Sequence, residues 1–157
     1  VWDKEGKKSL HIDSTSKTPW TWGDSLIENI WDSRKPPTPI LVQAVKLSRF
    51  LTIPVDLLKI DIEGAEFDVL EELSAQNKLP SVAAVQLEYH CLPGVLTKPL
   101  SEMLALLERQ GFLTLVQSNT QPHHIVGNDE WHTYMVFAWR SSSTTSGIIA
   151  SGRKKRT

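Results

Sequence analysis

One cysteine in 157 residues, Cys91, excludes an internal disulfide and a zinc site built on cysteine ligands. Long apolar runs are missing as well. None approaches the roughly 20 residues that a helical membrane span needs, and nothing resembles a signal peptide. An intracellular, cytoplasmic location is the expectation. A basic face is also lacking. The formal charge is −1, but Arg153, Lys154, Lys155 and Arg156 are the only charges beyond Arg140. The remainder therefore carries 13 basic and 18 acidic groups, a balance of −5 that gives no footprint for nucleic acid.

What is present suits one packed domain: 40% of residues are hydrophobic and 22% charged. The division expected is a domain over residues 1–140 and a tail over 141–157. The tail, "SSSTTSGIIASGRKKRT", is small and polar and reads as disordered. Its basic cluster could serve nuclear import or contact phosphate, but is read as a solvated end. The chain starts with Val1, so an N-terminal portion is expected to precede it.

"VWDKEGKKSLHID" reads as two short strands around a turn at Glu5 and Gly6. "GDSLIENIW" has the apolar spacing of a short helix. The prolines of "SRKPPTP" make a loop. "ILVQAV" then reads as a strand, "KLSRFL" as a helical turn, and residues 55–61 as a buried strand. A helix over 65–74 buries Phe67, Leu70 and Leu73, and Glu66 and Asp68 complement the positive end of its dipole. "AAVQLEY" is the next strand. A second helix runs over about 99–110, with Pro99 in its first turn and Gly111 as the left-handed cap residue. "FLTLVQ" and "TYMVFAW" finish the pattern as strands on either side of a polar loop. This order predicts an α/β domain with a mostly parallel sheet, closed by an antiparallel, hairpin-like strand pair. Central strands of such sheets are buried on both faces, and ligands meet their carboxyl ends.

The strand over 55–61 carries an anomaly. Strand side chains alternate, so Val55, Leu57, Lys59, Asp61 and Glu63 should share a face. A lysine buried there needs a partner. On the following strand Ala84, Gln86, Glu88 and His90 also share a face. If the faces coincide, Lys59 pairs with Glu88, and Asp61, Glu63 and His90 gather at a cleft rim. Gly64 just beyond would let a ligand approach the helix start closely. The plain alternative is an internal ion pair without chemistry.

"VDLLKIDIEGAEFDVLEEL" resembles the signature segment of FkbM-type methyltransferases. "ILVQAVKLSRFL" looks like the segment before it, and "AVQLEYH" resembles the later strand ending in Glu-x-His. "LLERQGF" is similar to the passage that follows, and "VWDKEGKKSLHI" fits the preceding hairpin. The resemblance covers most of residues 1–140. It implies a Rossmann-like class I methyltransferase fold, S-adenosylmethionine as methyl donor, and an oxygen of a sugar or other small metabolite as acceptor. By the same resemblance Asp61, Glu63 and His90 would carry the chemistry. Asp61 and Gly64 would border the donor, and Glu66 and Glu88 the acceptor. The family also uses a glycine-rich turn after its first strand and an acidic residue that holds the ribose. No Gly-x-Gly occurs in these 157 residues, so either the chain is part of a longer enzyme or the donor site has been lost.

Two rivals remain. "WGDSL" matches the Gly-Asp-Ser-Leu block of a lipase/esterase family, and with Asp129 and His132 would place Ser25 in a triad. A non-catalytic methyltransferase-like interaction module is the other. His11 reads as a surface strand residue, and the adjacent His123 and His124 suit a metal badly. Trp20, Trp22 and Trp31 could form an aromatic platform, but packing over a sheet edge explains them equally.

Overall fold

A computed structural model describes residues 1–12, 24–27, 38–91, 98–118 and 132–141. Six strands and two helices follow in chain order. They are β1 (Gly6–Ile12), β2 (Thr38–Ala44), β3 (Val55–Ile60), α1 (Glu66–Ala75), β4 (Val82–Cys91), α2 (Leu100–Arg109), β5 (Leu113–Ser118) and β6 (His132–Trp139). The expected tail beyond Ser141, His123, His124 and the tryptophans at 20, 22 and 31 lie outside the described residues.

The chain is α/β with a mixed sheet in the order β3-β4-β6-β5. β3 and β4 are parallel, and β6 runs antiparallel to both β4 and β5. Three of the four strands thus point the same way. The last strand enters between β4 and β5, so the closing pair is a hairpin whose second arm is inserted rather than added at the edge. Two expectations change at the N-terminus. β1 pairs antiparallel with β2, from Gly6 opposite Ala44 to Ile12 opposite Thr38. "ILVQAV" therefore sits in a separate two-stranded ribbon rather than in the parallel sheet. Residues 1–5 do not form a hairpin with β1; Trp2 N–H instead donates to Val45 O at 3.0 Å.

The core explains the two helices. Phe67, Val69, Leu70 and Leu73 of α1 and Met103, Leu106 and Leu107 of α2 join Val85, Leu87, Tyr89, Val136 and Ala138 of the sheet in one buried cluster. Alternation in β4 puts Val85, Leu87 and Tyr89 in that cluster and leaves Ala84, Gln86 and Glu88 half-buried on the other side. On that second side, Leu57, Ala84, Trp139 and Leu113 form one row across all four strands. Three of them, Leu57, Trp139 and Leu113, are exposed. No described element covers this face, so the expectation of burial on both sides fails among the described residues.

α1 starts after Ala65, and Pro99 is the N-cap of α2 rather than its first residue. Gly111 takes the left-handed φ of +83° expected of it. A side chain there would also meet Arg140, since a Cβ would lie 3.1 Å from its Nη1. Arg140 is a clamp that sequence patterning gives no sign of. Its guanidinium donates to the carbonyls of Val82, Gln110 and Leu79 and stacks 4.2 Å from the Phe112 ring centroid.

Candidate active site

β3 ends at Ile60, buried, and the backbone then turns sharply before α1. Glu63 takes a left-handed φ of +52° and Gly64 one of +101°. Glycine adopts this region freely, whereas a residue with a Cβ is strained by about 1 kcal/mol or more. The turn is held from within α1. The Glu66 carboxylate accepts the N–H groups of Gly64 at 3.0 Å and Ile62 at 3.3 Å through one oxygen, Oε1. The same oxygen lies 2.9 Å from His90 Nδ1, near the end of β4. An oxygen already accepting two backbone donors is an acceptor here, so Nδ1 carries the proton and donates. That leaves Nε2 toward Glu63, whose Oε2 is 3.4 Å away.

Burial shapes the electrostatics. Glu66 is fully buried and His90 is 4% exposed. Desolvation pushes the Glu63 carboxyl up to about 7; His90 opposes this, while Asp61, Glu66 and Glu88 add to it. Burial disfavours a charged His90, yet the Glu66 hydrogen bond and the charges of Glu66, Glu63 and Glu88 outweigh it and raise the imidazole above its ordinary value. Glu63 and His90 thus influence each other's protonation.

Glu63 faces a cleft of about 610 Å³ lined by Val1, Leu10, Asp24, Leu26, Asp61, Ile62, Glu63 and Glu88. Four carboxylates thus surround one cavity at the carboxyl end of two parallel strands, the position where such sheets meet ligands. Asp61, Glu63 and His90 each offer a possible metal ligand, all within 4.8 Å of one another. Lys59 holds Asp61 at 3.0 Å. Asp61 is thus paired with Lys59, and Nδ1 of His90 with Glu66.

The rim residues Asp61, Glu63 and His90 are therefore together, and Glu88 lines the same cleft. The route differs from simple alternation, because Glu63 reaches His90 through the left-handed turn and not as a strand residue. The Lys59–Glu88 pair is not formed. Lys59 lies on the uncovered sheet face, opposite Gln86, and its exposed ammonium pairs with Asp61. Glu66, expected beside an acceptor, is shut away from the cleft and holds His90 instead. Gly64 is where expected, with its N–H taken by Glu66.

Among the described residues, Ser25 is not placed as the nucleophile of the expected triad. Ser25 is fully buried, and its hydroxyl donates to the carbonyl of Glu63 at 2.5 Å rather than to a base. Asp129 lies outside the described residues, as do the side chain of His132 and the second half of the expected "GDSLIENIW" helix. Residues 24–27 form a bridge and bend, with Ser25 paired to His11 of β1. Sequence reasoning missed this role of Ser25, and also missed Asp24, Leu10 and Leu26 as cleft residues. They come from segments far from the signature, and no periodicity marks them.

A comparison with curated proteins finds no match, and a comparison with solved structures finds none either. The model of the methyltransferase FkbM domain matches residues 3–114, a span that holds the β3–α1 turn, Glu66 and His90. The chain belongs to the FkbM methyltransferase family.

Proposed function

We propose that the protein transfers a methyl group from S-adenosylmethionine to a hydroxyl of a sugar or other small metabolite. The observation that carries this reading is a cleft-facing carboxyl, Glu63, tuned to about 7 and backed by a buried histidine of fixed tautomer. A general base works best when its pKa lies near the working pH. The donor, when bound, supplies a methyl carbon made electrophilic by a positive sulfonium. Asp24, Asp61, Glu63 and Glu88 give the cleft a negative surround that suits such a cation. Asp61 and Gly64, at the end of β3, are the residues that would border it. The described residues include neither a glycine-rich turn nor a ribose-holding acid, so their fit to the donor is confined to the sulfonium end.

The work of the chain's own residues is alignment and proton removal. Asp61 and Glu88 accept hydrogen bonds from acceptor hydroxyls. Glu63 would take the hydroxyl proton as the oxygen–carbon bond forms and the donor's sulfur–methyl bond breaks to leave a neutral thioether, and Nε2 of His90 could receive that proton in turn. Glu66 keeps Nδ1 protonated, so that Nε2 remains the accepting nitrogen.

The test is methyl transfer by the full-length protein. Methyl-labelled donor is supplied with a panel of sugars and hydroxylated metabolites, and products are identified by mass spectrometry. Label on an acceptor oxygen, lost in Asp61→Asn, is the expected result. Label found only on nitrogen or carbon, or no transfer to any acceptor, would overturn the reading.

A further inference from the structure

Ser25 connects the β1–β2 ribbon to the turn that carries Glu63. Its backbone pairs with His11 in both directions, His11 N–H donating to Ser25 O at 2.7 Å and Ser25 N–H to His11 O at 3.0 Å. Its hydroxyl accepts the Ile27 N–H at 3.0 Å and donates to Glu63 O, 38 residues away in sequence. The side chain is wholly buried. A hydroxyl with both capacities used, in a dry setting, fixes its acceptor well.

We infer that Ser25 is a positioning residue, whose hydrogen bond to the Glu63 carbonyl holds that backbone left-handed and so keeps the Glu63 carboxylate against His90. The physical need is specific. A left-handed φ of +52° is disfavoured for glutamate, and persists only where surrounding contacts over-determine it. Glu66 ties down the N–H groups of Ile62 and Gly64, on either side of Glu63. Ser25 secures the carbonyl of Glu63 itself. Released, the peptide relaxes toward negative φ, and the carboxylate leaves the 3.4 Å contact with Nε2. Glu66 is anchored separately in α1, so the Nδ1 contact survives. The ribbon thereby becomes part of the site: β1 supplies Leu10 to the cleft wall and, through Ser25, the aim of its carboxyl.

The catalytic consequence rests on the proposed function; the geometric one does not. The experiment follows the His90 ring nitrogens by NMR as pH is varied, in the full-length protein. Groups facing that ring are Glu66 from α1, Glu63 and Asp61 from the turn, and Glu88 from its own strand. Ser25→Ala should lower the His90 midpoint toward that of Glu63→Gln while Nδ1 stays protonated. Adding Ser25→Ala to Glu63→Gln should then change nothing further. Ser25→Cys keeps the branching with a weaker donor and should fall between; it is the variant to read if alanine does not fold.

A lowered melting temperature with an unmoved His90 midpoint would make Ser25 merely structural and overturn the inference. A shift that persists undiminished in the Glu63→Gln background would do the same, because the effect would not pass through Glu63. Methyl transfer is measured on the same variants. The expected His90 shifts with no transfer by any form would uphold the positioning role and remove the proposed reaction.

Discussion

Glu66 Oε1 sits 2.9 Å from Nδ1 of His90, carboxylate and imidazole both buried, and the same oxygen receives two backbone N–H groups. One atom therefore fixes the helix entry and the histidine tautomer together. Glu66→Gln retains a carbonyl oxygen for all three donors and should lower stability by only about 1 kcal/mol. Glu66→Leu strands the buried His90 donor, at roughly 1–3 kcal/mol, and two part-buried N–H groups besides. Denaturant unfolding of the two variants checks this, and equal losses would deny Oε1 its triple role.

Stability should fall as pH rises through neutrality. Glu63 is raised in the folded chain from 4.5 to about 7, so the folded state holds a proton that the unfolded state releases from about 4.5 upward. His90 is raised above 6.5, so its contribution is present below that value and lost above it. Both groups give the same sign, because the folded state binds more protons across the window. Urea unfolding from pH 5 to 8 should show the decline, and Glu63→Gln should flatten its acidic part. An unchanged slope in that variant would assign the decline to other groups.

Lys59 stands at the anomaly of the signature strand, yet its substitution should be mild. Its ammonium is exposed and pairs directly with Asp61, a surface arrangement contributing about 0–1 kcal/mol. Lys59→Met should stay within about 0.5 kcal/mol of the parent, and should show no coupling to Glu88→Gln in a double-mutant cycle. Strong coupling would restore the internal ion pair that strand alternation suggested.

Arg140 should be among the least replaceable surface-linked residues. Its planar fork reaches three carbonyls that close α2 and the start of β4. A lysine has no such fork. Arg140→Lys should lower stability by about 2 kcal/mol or more, given roughly 1.5–3 kcal/mol per charged hydrogen bond. A loss under about 0.5 kcal/mol would show that the three bonds are not maintained in solution.

The parts legible in the sequence were those set by local periodicity. The stripe Phe67, Leu70 and Leu73 marked α1, Gly111 marked the end of α2, and the polar carboxyl ends of β3 and β4 marked the cleft. What failed was pairing at a distance. Nothing in "ILVQAV" says that it joins β1 rather than the main sheet. Lys59 looked buried only because both faces of β3 were assumed to be covered. Alternation also stops at Ile60, so the meeting of Glu63 with His90 needed a left-handed residue that no side-chain pattern encodes. The contact Ser25 makes was invisible for the same reason, its partner being a main-chain carbonyl 38 residues away.

The most direct test of the account is the pH dependence of methyl transfer by the full-length protein, with and without the Glu63 carboxyl. The parent rate should rise with pH through a midpoint near 7. Glu63→Gln should lose both that rise and about 10²–10⁴-fold in rate, the range a general base supplies. A Glu63→Gln variant that transfers methyl groups at the parent rate, with the same pH profile, would contradict it.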